Sequence, residues 1–384
     1  MAKREPEVRF DQDPLRFLDQ AFPDAGDAVW LPGRQLCLSE AEASRAVLTN
    51  DEELYEDHSD FFHTRRGNFG PRPVQVEMGR SARALLRAHL RTHADELPAA
   101  VSALAPVSDW PDAGNWLAYR HFAPVLIAPD SPARLHQAVE QIVHRAVLAG
   151  ARDRYSRLTR AVFRFRVMRE LGRAVQERRK RGDGEPIDVL DAVVRAAGPD
   201  VPTGELAEVF LSFLFAAGGS VGFVLGWSLY LMGTHPGGKA DPAWVVREAL
   251  RLWPVAWLLA RRPARPHEIA GVSVTPEDEV IVCPYAVHRN PRHWDDPNSY
   301  RPERWAESPD PQAFIPFGWG PHRCIAGTLS MQLVEDILRI LVDNYRLTVT
   351  PVETQPCVSA ALAPPRFTLG LEPHRLSNET KGGE

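Results

Sequence analysis

Residues 314–327 read Phe314-Ile-Pro-Phe-Gly-Trp-Gly-Pro-His-Arg-Cys-Ile-Ala-Gly327. The cysteine, Cys324, stands directly before a stretch in which Leu329, Leu333, Ile337 and Leu341 recur four apart, and that spacing predicts a helix over residues 326–344. A thiolate at this point gains from the free N–H groups and the positive end of the helix dipole. Gly318 and Gly320 let the backbone approach a flat ligand and take unusual φ and ψ angles. Phe317 can cover one side of the sulfur, while His322 and Arg323 offer donors to an anionic edge. A lone cysteine more often packs as a small hydrophobe than ligates anything. Here the whole run requires an explanation.

Phe317, Gly320, His322 and Cys324 match the pattern Phe-x-x-Gly-x-(Arg/His)-x-Cys-x-Gly, with Ala326 in place of the final glycine. Upstream lie Glu248-Ala-Leu-Arg251 and Tyr300-Arg-Pro-Glu-Arg-Trp305. In this order the motifs resemble the cytochrome P-450 superfamily, bacterial soluble type, over residues 187–371. The resemblance implies a mainly α fold with a small β component. It implies one such domain over residues 1–384, with residues 1–35 partly irregular and 372–384 a flexible tail. It also implies haem b, with Cys324 as the sulfur ligand to the iron. Such a ligand pushes electron density towards the metal.

On the same ground Phe317 and Gly318 lie against the haem, and Arg261 and His322 face its propionates. Arg87 is a third candidate there, with Arg83 standing where the family has His or Trp. Glu248 and Arg251 share a helical face by their spacing. Alone, such a pair reads better as a solvated surface bridge. The resemblance implies instead a buried triad with Arg304 that braces the cysteine loop.

Residues 209–234 contain no charged side chain, long enough to read as a membrane span. Three serines and five glycines dilute the run. The resemblance makes it the central distal helix, apolar all round because it is buried. Counted back from His235-Pro236, Ser220 takes the place of the oxygen-side alcohol, and Gly219 that of the acid that usually precedes it. A register one residue off puts Val221 there instead. By the same analogy Phe215, Ala216, Val255, Ala256 and Trp257 line the substrate pocket.

The chain has 384 residues and a net charge of -5, which gives no support to a nucleic-acid partner. Its four cysteines are scattered and form no CxxC pair, so a cytoplasmic protein with reduced thiols is expected. The charged N-terminal residues show neither a signal peptide nor an anchor. Lys occurs only at positions 3, 180, 239 and 381; with abundant Pro, Gly and Ala this points to a GC-rich genome and bacterial secondary metabolism.

The implied activity is oxidation of a small organic substrate by O2. Electrons would come from NAD(P)H through a separate ferredoxin and ferredoxin reductase, to a monomer free of membrane. The missing acid keeps a peroxygenase or a non-hydroxylating oxidase open, and a non-catalytic partner-binding protein is the alternative of another class.

Overall fold

The computed structural model describes residues 8–148, 156–181, 184–235, 240–307 and 311–374. Of the tail expected over residues 372–384, the first two residues instead end a strand, Phe367–Pro373, and those beyond 374 lie outside the described residues. The architecture is a helical body with small sheets attached.

The body is built round the uncharged run. It forms a helix, Thr203–Leu214, a π-helical turn, Phe215–Ser220, and a second helix, Val221–Thr234. By length and composition this span could cross a membrane, but two-thirds of its most apolar window is buried inside the protein. Leu206, Phe210, Leu214, Leu225 and Leu229 have no exposed surface. Glycine sets how closely its neighbours approach. A Cβ built on Gly222 would lie 2.5 Å from Asn115 Nδ2 and one on Gly226 2.9 Å from Pro364 Cγ. Helices Asp112–Leu126, Pro242–Leu252 and Gly327–Asn344 pack against it. Burying a core-sized apolar side chain contributes about 1.5–3 kcal/mol, so neighbours rather than lipid account for this composition.

A four-stranded sheet runs in the order Ala28–Leu31, Gln35–Leu38, Glu279–Val282, Leu259–Arg261, with its middle pair parallel. A second joins Tyr345–Pro351, Phe367–Pro373 and Val107–Trp110. Leu369 and Leu371, two apart, point into the core from one face.

Two readings of local structure need correction. Of residues 1–35, expected to be partly irregular, the described ones from 8 onwards are less so. Helix Pro14–Ala25 starts there because the Asp13 carboxylate caps Arg16 N–H and Pro14 opens the first turn. Leu15 and Leu18 then anchor it in a cluster with Cys37 and Ile281 of the sheet. Residues 80–105, whose pattern predicts one basic amphipathic helix, divide instead: the helix starts earlier, at Arg72, and ends at Thr92, and a second runs Leu97–Ser102. Pro71 and Pro73 look like loop residues, but proline is well suited to a first helical turn.

Candidate active site

The segment before helix Gly327–Asn344 folds back on itself, and the Cys324 N–H donates to the Phe317 carbonyl at 2.9 Å. Gly318 and Gly320 sit at φ of 68° and 66°, which a side chain would strain. At Gly320 a Cβ would also lie 2.7 Å from the Leu48 carbonyl oxygen. At Gly327 it would lie 2.9 Å from the Phe317 ring, so that ring lies over the helix start. Cys324 is surrounded by protein yet accessible from a cavity. Burial pushes its thiol pKa up. The N–H groups of Ala326 and Gly327 pull it down, with Arg323 and Arg83 acting in the same direction.

The cavity has a volume of about 750 Å³. Phe317, Gly318 and Cys324 line it, and so do Ala216, Ser220 and Val221 of the central helix. Val255 and Ala256 contribute wall, as does an aromatic trio formed by Phe61, Phe62 and Phe213.

Its rim is basic, with Arg72, Arg83, Arg87, Arg261 and His322 all lining the cavity. His322 Nδ1 lies 2.9 Å from the Arg72 guanidinium, and Nε2 lies 2.7 Å from Asp57. Arginine has no acceptor, so Nδ1 accepts and the Nε2 hydrogen faces the carboxylate. Burial lowers the His322 pKa, Asp57 opposes that and Arg72 adds to it. Arg261 is held by Asp60 at 2.8 Å. The Arg83 Nε hydrogen is buried with no partner among the described residues.

Beyond the cysteine loop, Glu248, Arg251 and Arg304 meet with side-chain exposures of 0%, 0% and 5%. Arg251 spans both Glu248 oxygens at 2.7 and 2.9 Å, and Arg304 Nε donates at 3.1 Å. Trp305 Nε1 and the Arg301 N–H complete the carboxylate's partners at 3.1 and 2.9 Å. The remaining guanidinium hydrogens go to backbone carbonyls, including those of His288 and Asp295. His288 connects this network to the loop. Its Nε2 accepts from Ile315 N–H at 2.9 Å, which leaves the Nδ1 hydrogen for the Arg251 carbonyl at 3.0 Å. Burial, then Arg251, push its pKa down to about 3, so the ring is neutral.

The family model for cytochrome P450 matches residues 243–370. Cyclooctatin synthase of Streptomyces melanosporofaciens is 26% identical over 51% of this chain and 50% of its own length. A putative cytochrome P450 137 of Mycobacterium tuberculosis is 30% identical over 48% and 43%. Mouse cytochrome P450 4V2 is 29% identical over 41% of this chain, a stretch covering 36% of that protein. The chain thus matches between a third and a half of these curated relatives. In fold the likeness spans nearly everything. P450 OxyD, involved in the biosynthesis of vancomycin-type antibiotics, matches at TM-score 0.71 and 18% identity, covering 96% of this chain and 98% of that one. A zebrafish cytochrome P450 with abiraterone matches at 0.69 and 19%, over 94% and 99%. Residues 243–370 are thus similar to cytochrome P450s, and the chain has the cytochrome P450 fold.

P450 enzymes are haem-thiolate proteins built on haem b, and the residues present fit that group. The sulfur is accessible, Phe317 offers an apolar face, and the unpartnered Arg83 Nε suits a carboxylate at the rim. Three sequence expectations for this site fail on position. Phe215 does not line the cavity; at the start of the π turn it is 39% exposed. Trp257 also turns away. Its Nε1 donates to Ser359 O at 2.9 Å, and its ring packs in the cluster with Leu15 and Cys37. Gly219 lies buried behind the wall and does not reach the cavity that Ser220 lines.

Several residues at the site escaped the sequence reading. Arg72 and Asp57 fall in residues 51–79, a polar stretch whose proline and glycine punctuation predicts a long loop, and His288 and Asn115 sit in no motif. For these four no local signal exists, because their partners are between 37 and 265 residues away.

Proposed function

We propose that this chain is a haem-thiolate monooxygenase of a small organic substrate, in which Cys324 would supply the sulfur ligand to the iron. The observation that carries this reading is the placement of Cys324 and Ser220 in one basic-rimmed cavity. When bound, the haem supplies the activation of O2. The N–H groups of Ala326 and Gly327 hold negative charge on the sulfur, as donors at a helix start do. Arg72, Arg83, Arg87 and Arg261 would hold the propionates, with His322 beside them bonded to Arg72 and Asp57, and Phe317 and Gly318 would sit against the ring. The triad of Glu248, Arg251 and Arg304 holds the loop through His288. Phe61, Phe62 and Phe213 exclude water and favour an apolar substrate. The Ser220 hydroxyl, which lines the cavity, holds and passes the proton that oxygen activation consumes, together with water.

We place the chain in the cytoplasm as a monomeric, single-domain protein served by a ferredoxin and its reductase. The likenesses to cyclooctatin synthase and OxyD support a role in bacterial secondary metabolism. The absence of an acid at Gly219 favours, as a second reading, a peroxygenase or a coupling or rearranging oxidase.

The test is spectroscopic. The reduced, carbon-monoxide-bound protein shows the strongly red-shifted Soret band of thiolate ligation, and Cys324→Ala abolishes it. A variant with an unchanged band refutes the assignment.

A further inference from the structure

The π-helical turn Phe215–Ser220 carries the hydroxyl on which the proposed proton path rests. An α-helix repeats its hydrogen bonds at four residues, and a π turn at five. The Val221 N–H accordingly reaches back to the Ala216 carbonyl. A six-residue turn of this kind is a costly interruption, and π turns occur mostly where a site requires them. Something outside the helix must offset its poorer ladder.

Asn115, on helix Asp112–Leu126, is fully buried. Its Nδ2 donates to two successive carbonyls of the turn, Gly218 O and Gly219 O, each at 2.9 Å. The amide orientation follows from chemistry: reversed, its oxygen would face two carbonyl oxygens. Its Oδ1 is buried and has no partner among the described residues. The hold is therefore through Nδ2 alone. The helix is shaped to receive it, because any side chain at Gly222 would begin 2.5 Å from that nitrogen and 2.6 Å from Asn115 Cα.

We propose that Asn115 is a positioning residue for the Ser220 hydroxyl, holding the central helix in its π turn through the Gly218 and Gly219 carbonyls. Without that hold the segment reverts to the four-residue repeat. Its end then turns against its start by about 100°, one residue's worth of rotation, and Ser220 leaves the cavity wall. Asn115 does not line the cavity and acts through the turn. The proposal rests on the haem-thiolate reading of the cavity.

Two measurements on the haem-loaded protein test it. The first is amide hydrogen exchange. Asn115→Leu removes both donors and also a buried acceptor that had no partner, so overall melting changes little. Exchange at residues 220–224 nevertheless accelerates about tenfold or more. Asn115→Ser, smaller and with one donor, gives an intermediate result and serves if the leucine variant does not fold.

The second uses carbon monoxide as probe. Its stretching band in the reduced complex senses the nearby hydroxyl. Ser220→Ala and Asn115→Leu should each shift it, and the double variant should shift no further than Ser220→Ala, the signature of one acting through the other. A band unmoved by Asn115→Leu, or shifts that add, overturns the proposal, as does unchanged exchange. Lack of the thiolate Soret band in the unmodified protein would instead sink the haem reading beneath it, with the exchange result still read on its own.

Discussion

Replacing Glu248 by Gln tests how the buried triad is built. The carboxylate has no exposed surface and receives hydrogen bonds from Arg251, Arg304, Trp305 and the Arg301 N–H. Its amide analogue has the same shape but no charge, and its NH2 group must face a guanidinium or the indole N–H. Two buried cations, Arg251 and Arg304, then have no counter-ion. Breaking a buried pair in this way costs about 3–5 kcal/mol. The unfolding entropy of a chain this long converts that into a fall of about 4–6 °C in melting temperature. The control is the exposed pair Arg366 and Glu353, 2.6 Å apart with side chains 55% and 45% exposed. There Glu353→Gln should cost under about 1 kcal/mol, because solvent screens both partners. Thermal melts of both variants, read by circular dichroism with haem content from absorbance, decide the matter. If Glu248→Gln melts no lower than Glu353→Gln and keeps its haem, the buried charge is not what holds this part of the fold.

With substrate bound, Ser220→Ala should divert NAD(P)H electrons into hydrogen peroxide, since a positioned proton donor is worth about 10²–10⁴-fold. Equal product per NAD(P)H in both proteins would reduce Ser220 to packing. Arg83→Leu should speed haem transfer to apomyoglobin about tenfold or more, the loss of a charged hydrogen bond; an unaltered rate would show that Arg83 does not reach a propionate. Stability should also fall with acid. His288, pushed down to about 3, and His121, pushed down to about 4 by burial and then by His89 and His93, stay neutral when folded. The unfolded chain binds those protons from about pH 6.5 downwards, so each histidine removes up to about 1.4 kcal/mol per pH unit through that window. Urea midpoints between pH 6.5 and 4 should therefore fall less steeply in His121→Phe, and identical slopes would refute the contribution.

The features legible in the sequence are those whose geometry is local. A cysteine before a helix, glycines two apart in a tight loop and a Glu and Arg three apart on one helical face all follow from backbone periodicity. So does the burial of an uncharged run of residues 209–234, once enough helices surround it. Side-chain direction is not local in this sense. Phe215 and Trp257 flank residues that do line the cavity, yet one faces outwards and the other bonds Ser359, because neighbours from elsewhere in the chain claim those sides. The π turn is likewise invisible in the letters Phe-Ala-Ala-Gly-Gly-Ser. It depends on an amide 103 and 104 residues away in the chain. The rim was set the same way, by Arg72 and Asp57 closing on His322 across 250 and 265 residues. Sequence spacing determines which residues can share a face. Which of them meet is decided by long-range packing, where each buried donor must find its acceptor wherever the chain supplies one.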